Sequence, residues 1–260
     1  MNLNDLAANV LQHQRSTPDL IAEALRQAIQ HGLFQEGQSL RQDEIATRFG
    51  VSRIPVREAL RQLEAEGLVT FHPNRGAMVS SLSPSEAQEI CEIRMALETM
   101  ALQLAIPHLS DADLDRAAQL LQETEQTAEA MRWAELNWQF HSVLYQPANR
   151  PRLLSMIKTL HINIDRYIRL QMQELHYRDR SQAEHHQLLA ACRQRDISTA
   201  IQLLQQHIGQ AAEQLVEYLQ GGSAKVPSEP LLKPSLVNGL QVGLTSLPCS
   251  HSEQVVSKTE

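Results

Sequence analysis

The stretch between Gly76 and Gly221 contains one glycine, Gly209, and apolar residues recur through it at spacings of three and four. This periodicity is typical of amphipathic helices, and glycine, which marks turns and bulges, is almost missing. The stretch therefore predicts an all-α antiparallel bundle with short connections. We expect helices near residues 84–106, 110–130, 131–146, 150–178, 181–195 and 196–220.

Capping signals support several of these boundaries. The sequence SPSE at 83–86 is a capping box with proline at the first helical position. Ser110 with Asp113, and Ser181 with Glu184, repeat the spacing of a capping serine and its acidic partner. We expect a helix to begin directly after each of these serines.

The first 81 residues have a different pattern. A helix with Thr17 as its N-cap ends at Gly32, and two further helices are predicted at 43–49 and 52–66. The segments LVTF and AMVS then alternate as two short strands around the hairpin loop HPNRG. Helix, helix–turn–helix and hairpin, in this order, predict a winged helix–turn–helix.

The fold class predicted from these patterns is mainly α, with a winged helix–turn–helix followed by the helical bundle. The last 40 residues open with GGSAKVPSEP, are rich in Gly, Ser and Pro, and show no periodicity, which predicts disorder. We assign a flexible leader to residues 1–16, the winged domain to 17–81, the helical domain to 82–220 and a disordered tail to 221–260.

Bulk composition excludes several classes of protein. No run of about 18 apolar residues is present, so no membrane span is expected. The N-terminus lacks the basic start and apolar centre of a signal peptide. Cys91, Cys192 and Cys249 share no metal-binding or redox spacing, which favours a reducing cytoplasm.

Charge is distributed unevenly along the chain. The net charge of −7 argues against a general nucleic-acid binder. Yet residues 1–80 carry eight arginines, and five of them lie between Arg41 and Arg61. This local cluster matters more than the total, because salt screens charges beyond about 10 Å.

The helix predicted over residues 52–66 has two chemically different flanks. Ile54 lies almost opposite the core side, where an isoleucine is either exposed to solvent without a role or contacts another molecule. Pro55 falls in the first turn, where backbone N–H groups have no helical partner. The apolar flank consists of Val56, Ala59, Leu60 and Leu63 and should pack on the domain core. The other flank consists of Arg53, Arg57 and Arg61.

A helix of this size fits the DNA major groove with its N-terminal residues at the base edges. Arg53 or Arg57 can form bidentate hydrogen bonds with guanine, and Ile54 can contact a thymine methyl group. Arg61 is more suitably placed for phosphate. The alternative is a solvated arginine face paired with glutamates of the same helix, but the preceding helix and the hairpin favour DNA.

Six of the eleven histidines lie between His141 and His207. Asn137 and His141 are four residues apart and share a helix face. His185 is in phase with the apolar residues of its helix, whereas His186 is in phase with its polar side. His207 also points inward, so three helices aim imidazoles at one interior.

A shared metal ion would satisfy all of these buried imidazoles at once. The alternative is three separate core histidines, each bonded to a carbonyl group. Three at matching depth favour the metal, and imidazole ligands favour Zn, Ni or a similar transition metal over Mg or Ca.

Two further polar residues lie in apolar stripes of the bundle. A buried Arg94 requires an anion, and Glu98, four residues on, is one candidate. His161 falls in another apolar stripe, where a core histidine and a ligand-contacting histidine remain equal alternatives.

The run SLRQDEIATRFGVSRIPVREALRQLEAEGLVTFHPNRGAMV resembles the winged helix–turn–helix of the GntR family of bacterial transcription regulators. The resemblance covers residues 18–79. It implies that Arg53 and Arg57 contact the operator and that the wing around Asn74, Arg75 and Gly76 enters the minor groove.

This chain departs from the family pattern at one position. Some relatives carry a DNA-contacting arginine where this sequence has Asp43, and Arg41 lies nearby as a candidate substitute. The predicted DNA-contacting residues are Arg41, Ser52, Arg53, Ile54, Arg57, Arg61, Arg75 and Gly76.

The segments N-x-x-x-H and EHHQLLAACRQRDISTAIQLLQQHI are similar to the metal-binding FCD bundle of the same family. The resemblance covers residues 84–219 and implies a divalent transition metal, Zn or Ni, held by Asn137, His141, His185 and His207. Many members have Asp at the first of these positions, and the neutral amide oxygen of asparagine should bind a cation more weakly. The resemblance also implies that an arginine of the IRMALE stretch, Arg94, faces a small carboxylate effector, with His161 as a second candidate contact.

Three functions are compatible with these residues. The first is a cytoplasmic regulator, of repressor type, that binds a pseudo-palindromic operator as a homodimer and responds to a small carboxylate effector. The second is a metal-dependent hydrolase with Glu135 or Glu184 as general base, but no H-E-x-x-H motif is present. The third is a metal or small-molecule store, which leaves the winged domain unexplained. We expect a regulator and no enzymatic activity.

Overall fold

The computed structural model describes residues 16–171 and 175–221, which form a winged unit and a helical unit. The winged unit begins with three helices and ends with two antiparallel strands. These elements are α1 (Thr17–Gln30), α2 (Gln42–Phe49), α3 (Arg53–Ala65), β1 (Val69–His72) and β2 (Gly76–Val79).

Local sequence explains the ends of the first helices. α1 is capped by Ser16, whose hydroxyl accepts from the backbone N–H of Asp19 while the Asp19 carboxylate accepts from the backbone N–H of Ser16. The predicted cap at Thr17 was therefore wrong by one residue, because the capping box needs its acidic partner three positions on. Gly50 ends α2 with φ of 65°, a left-handed conformation that glycine adopts without strain and that turns the chain into α3.

The winged core forms on the predicted side of α3. Its four apolar residues are fully buried against α1, α2 and the hairpin, together with Ile21, Leu25, Ile29 and Leu40. This confirms the assignment of Val56, Ala59, Leu60 and Leu63 to the core.

The helical unit contains six long helices joined by short connections within the described residues. They are α4 (Pro84–Ala105), α5 (Asp111–Gln126), α6 (Ala130–Tyr145), α7 (Pro151–Gln171), α8 (Leu175–Arg193) and α9 (Ile197–Gln220). Single 3-10 turns follow α4 at Ile106–His108 and α6 at Gln146–Ala148. α9 packs along α4, α5 packs on α6, and α8 touches both α5 and α9.

Two predicted helix starts are confirmed and one is wrong. Ser83 and Ser110 both form complete capping boxes at the starts of α4 and α5. Ser181, by contrast, is buried inside α8, which already begins at Leu175. Its supposed partner Glu184 bonds to a histidine of α9 instead, so no cap is formed.

The two units touch through α7. Ile162 packs against the winged core, and the side chain of Asn163 lies against Gly67, directly before β1. The hydroxyl of Tyr167 accepts from the backbone N–H of Leu82 in the connection between the units. One helix of the bundle is thus fixed to the base of the wing.

Some predictions concern parts of the chain outside the described residues. These are the flexible leader, apart from Ser16, and the disordered tail beyond Gly221. Within the described residues, none of the helices combines the length and apolar character needed to cross a bilayer.

We expect Gly209→Ala to stabilise the protein. Gly209 lies inside α9 with ordinary helical geometry, and an added methyl would meet only Met95 Cε, at 3.7 Å. Alanine loses less backbone entropy than glycine, so the free energy of unfolding should rise by about 0.5–1 kcal/mol in urea denaturation followed by circular dichroism.

The matched control is Gly50→Ala, which has as much space but a positive φ. It should lower the free energy of unfolding by about 1 kcal/mol or more. A destabilised Gly209→Ala protein would contradict the packing of α9 described above.

Candidate nucleic-acid interface and metal centre

The start of α2, the start of α3 and the wing meet around a surface cleft of about 340 Å³. Four of the predicted DNA-contacting residues line it, Arg41, Arg53, Arg75 and Gly76, together with Asp43. Residues distant in sequence are therefore brought to one face of the winged unit. Gly76 has φ of 75°, which the hairpin turn requires and a side chain would strain.

Acidic neighbours hold two of these arginines loosely. Arg53 pairs with Asp43, although their side chains are 72% and 63% exposed, and Arg41 pairs with Glu44 at 3.1 Å. Exposed ion pairs of this kind contribute about 0–1 kcal/mol. A phosphate or a base edge can replace them at little cost.

The remaining predicted residues of the arginine helix differ in their surroundings. Ile54 is 62% exposed, and Arg57 is exposed and forms no ion pair with a described residue. Arg61 lies over the ring of Phe71 at 4.1 Å and pairs with Glu64, which holds it back from the N-terminal end of α3. Ser52 occupies the N-cap of α3, and its hydroxyl makes no capping bond there.

Three buried imidazoles meet in the bundle. His141 of α6, His185 of α8 and His207 of α9 place their Nε2 atoms next to one another: 3.2 Å separates the first two, and 3.3 Å the last two. One ligand atom from each lies within 4.8 Å of the others, which is a grouping that can hold a metal ion. His186 points to the surface and bonds Glu125, as its polar phase predicted.

Burial keeps the rings of His141 and His185 in the form that binds metals. It lowers the pKa of His141 well below its ordinary value, and His185, His207, His161 and Arg94 lower that pKa further by repelling a positive ring. Burial, followed by His207, likewise lowers the pKa of His185. A neutral imidazole has one nitrogen lone pair free for a cation.

Outer groups hold two of the three rings through Nδ1. The carboxylate of Glu184 lies 2.7 Å from Nδ1 of His207 and accepts a hydrogen bond from it. The hydroxyl of Tyr145 lies 3.2 Å from Nδ1 of His141. Such partners fix the orientation of a histidine and leave Nε2 for a metal. Among the described residues, Nδ1 of His185 has no hydrogen-bond partner.

Asn137 fits a fourth ligand position by its chemistry. It lies one turn before His141 on α6, is buried, and its Oδ1 accepts no hydrogen bond from any described residue. An unsatisfied buried oxygen one helical turn from His141 is a group that a cation can complete. The residues present therefore fit a transition metal with mixed nitrogen and oxygen ligands.

The two predicted effector contacts are both buried near this cluster. Arg94 is 6% exposed, and its Nε donates to Glu98 Oε1 at 2.7 Å, so the glutamate predicted as the alternative anion does pair with it. Burial opposes the charge of Arg94, but Glu98 and its other neighbours raise its pKa above the ordinary value. His161 is buried on α7 with its ring 4.6 Å from that of Trp138.

Sequence reasoning missed the roles of Tyr145 and Glu184 and gave Glu98 only as a partner of Arg94. A signal exists, because R-x-x-x-E occurs at 94–98 and again at 180–184, and both glutamates connect to histidines of the cluster, Glu98 through Tyr145. The sequence does not predict the role of Tyr145, apart from its position four residues after His141 on the same helix face.

Two family models match the chain. The model described as bacterial regulatory proteins, gntR family, matches residues 18–79, and the FCD domain model matches residues 89–210. The HTH-type transcriptional repressor GlaR of Escherichia coli K12 is 31% identical over 195 residues, which cover 71% of this chain and 89% of GlaR. The chain therefore belongs to the GntR family of transcription regulators and carries an FCD domain.

Other similarities agree. An uncharacterized HTH-type regulator of Bacillus subtilis, YdhC, is 32% identical over 143 residues, 54% of this chain and 63% of YdhC. The solved structure of E. coli McbR/YncC has the same fold, with a TM-score of 0.66 at 24% identity over 80% of this chain and all of that one. Since the family consists of transcriptional regulators, it confirms the prediction of no enzymatic activity.

The hydrolase alternative also loses its general bases. Glu184 is bound to His207, and Glu135 lies at the surface, where Arg132 and Gln139 donate to it.

Proposed function

We propose that the protein is a ligand-responsive transcription regulator, acting in the cytoplasm as a homodimer on a pseudo-palindromic operator. A small carboxylate effector, held near a divalent transition metal in the bundle, modulates its affinity for DNA. The observation that carries the ligand response is the cluster of three buried imidazoles in a regulator's helical domain. We further propose that it represses, as GlaR is named to do.

DNA recognition is supported by the exposed arginines at one end of α3. Arg53 and Arg57 are assigned to base edges, and Ile54 to a thymine methyl, because all three are exposed near the N-terminus of the helix. Arg41 and Arg75, across the cleft, are assigned to phosphate or to the minor groove. We assign Arg61 to phosphate, which requires it to leave Glu64.

Three further DNA assignments rest on backbone position. Ser52 lies at the N-cap of α3 and Gly76 at the tip of the wing, where both can approach the sugar–phosphate backbone closely. A dimer places two such faces on half-sites related by symmetry, which is why the operator should be pseudo-palindromic.

Effector binding is supported by the position of two groups beside the imidazole cluster. Asn137, His141, His185 and His207 would hold the ion, which when bound supplies a positive charge that attracts a carboxylate. Both Arg94 and His161 lie close enough to His141 to lower its pKa. The bond to Glu98 uses only Nε of Arg94, so the two Nη groups are proposed for the effector.

Transmission to the winged unit is proposed to follow α7. His161 belongs to the bundle interior, and its neighbours Ile162 and Asn163 touch the winged core and the start of β1. An effector that moves His161 must therefore move residues in contact with the DNA-binding unit. Because interfaces repack between discrete arrangements, a small shift can change the separation of two winged units.

The first test measures operator binding by fluorescence anisotropy, on a duplex selected from a random pool, at fixed salt. Arg53→Ala and Arg57→Ala should each weaken binding roughly 5- to 150-fold, since a base contact contributes about 1–3 kcal/mol. The control Arg152→Ala removes an exposed arginine from the bundle and should change affinity less than about twofold. Unchanged affinity in both test variants would refute the recognition-helix assignment.

The second test concerns the metal. Purified protein loaded with Zn²⁺ or Ni²⁺ should retain about one ion per chain by elemental analysis, and His141→Ala and His207→Ala should lose it. Asn137→Asp should bind more tightly, on the order of tenfold, because it replaces a neutral oxygen with a charged one. His186→Ala, the outward neighbour of His185, is the matched control and should bind normally. If no loading condition yields bound metal, the histidines are separate core residues.

The third test is a thermal-shift screen of small carboxylates with and without Zn²⁺. An effector at 100 times its Kd should add about 2.7 kcal/mol of stability, which is a shift of several degrees, and only when metal is present. The neutral amides of the same acids serve as controls and should not shift the melting temperature. Equal stabilisation without metal would remove the ion from the effector site.

A further inference from the structure

A continuous line of hydrogen bonds runs through the buried interior behind His141. Arg94 Nε donates to Glu98 Oε1 at 2.7 Å, and Glu98 Oε2 lies 2.8 Å from the hydroxyl of Tyr145. The same hydroxyl lies 3.2 Å from Nδ1 of His141. Arg94, Glu98, Tyr145 and His141 are all buried, and Glu98 is only 1% exposed. Water therefore has little access to compete for these bonds.

The chemistry of the four groups fixes the direction of each bond. A guanidinium only donates, and a carboxylate paired with it only accepts. The one proton of the Tyr145 hydroxyl must therefore point to Glu98, and the tyrosine oxygen can only accept from His141. His141 then carries its proton on Nδ1, and its Nε2 lone pair faces His185 and His207.

The protonation states agree with this direction. Burial and then Glu98 raise the pKa of Tyr145 well above its ordinary value, so its hydroxyl keeps its proton. Burial lowers the pKa of His141, so its ring is neutral and has a single N–H.

We propose that Glu98 and Tyr145 are positioning residues that hold His141 as the Nδ1–H tautomer with Nε2 prepared for a metal, and that Arg94 anchors them. The assignment rests on the metal site of the proposed function. It gives Arg94 a second role, since the arginine proposed for the effector also fixes the carboxylate behind a metal ligand.

A second carboxylate supports this assignment from the other side of the cluster. Glu184 accepts a hydrogen bond from Nδ1 of His207 directly at 2.7 Å, and Arg180 lies 3.5 Å from the same carboxylate. Two of the three imidazoles are thus prepared by an arginine–glutamate pair, one directly and one through a tyrosine. Removal of such outer partners typically weakens metal binding about 10- to 100-fold.

The test variant is Tyr145→Phe, which removes one hydroxyl and keeps the buried ring. In the full-length protein, Zn²⁺ affinity measured by competition with a chelating dye should fall about 10- to 100-fold. In the metal-free protein, long-range ¹⁵N–¹H NMR should show His141 as Nδ1–H in the parent and shifted toward Nε2–H in the variant. The tautomer is a signature that a general loss of stability does not produce.

The matched control is Tyr167→Phe. It also removes the hydroxyl of a buried tyrosine, but this hydroxyl bonds the backbone of Leu82 away from the imidazoles. It should change neither the Zn²⁺ affinity nor the tautomer of His141.

Glu98→Gln provides an independent variant should Tyr145→Phe fail to fold. Arg94 requires the amide oxygen, so the amide N–H₂ faces Tyr145 and turns its hydroxyl proton toward His141. The tautomer should then reverse to Nε2–H, with weaker Zn²⁺ binding.

The outcomes separate this inference from the proposed metal site. A parent protein that binds no Zn²⁺ would refute the proposed metal site. The tautomer of His141 in the metal-free protein would still test whether Glu98 and Tyr145 orient that ring. An Nε2–H His141 in the parent overturns the inference. So does a Tyr145→Phe protein with unchanged tautomer and unchanged Zn²⁺ affinity.

Discussion

Three buried imidazoles packed against one another constrain the helical unit. Each ring comes from a different helix, so α6, α8 and α9 must meet at the same depth for the three Nε2 atoms to come together. Within the described residues, Nδ1 of His185 has no hydrogen-bond partner, and this unpaired buried nitrogen costs free energy that the apolar core around it must offset. Phe140, whose ring centroid lies 4.8 Å from that of His185, is part of that surrounding core. The cluster is therefore a place where the bundle accepts a local penalty, as functional sites commonly do.

The packing of α7 supports the proposed transmission from the cluster to the winged unit. His161 and Asp165 are buried on α7, next along that helix to the residues that touch the winged unit. A helix is stiff over this distance, so its inner and outer faces cannot move independently. Gly67 lies where α7 meets the hairpin and has φ of 78°. A side chain at this position would have to displace Asn163. The contact between the units is polar in part, through Asn163 and Tyr167, which suits a joint that shifts between arrangements.

Much of this architecture could be predicted from the sequence because its periodicity is strong. The inward phase of His185 against the outward phase of His186, and the four core residues of α3, follow from helical geometry alone. Boundaries were less predictable: Ser181 has the sequence of a cap, yet Glu184 bonds to His207 of α9 and, within α8, pairs with Arg180. The Tyr145–Glu98 bond joins residues 47 positions apart, and no local pattern predicts which tyrosine meets which carboxylate. Pairing at this separation depends on how helices pack rather than on how each one forms.

Two arginine–carboxylate pairs differ in burial, and this difference suits the exposed pair to binding a partner and the buried pair to positioning a neighbouring side chain. Arg53 and Asp43 are exposed, so water already solvates both charges, and the pair can open to admit a phosphate at little cost. Arg94 and Glu98 are enclosed, so opening their pair leaves an uncompensated charge in a medium of low polarity. An anion that binds the Nη groups of Arg94 can do so without opening this pair, because Glu98 accepts from Nε. The exposed pair therefore suits a surface that exchanges partners with DNA. The buried pair suits a site that accepts one class of ligand and keeps a metal-facing histidine in place between binding events.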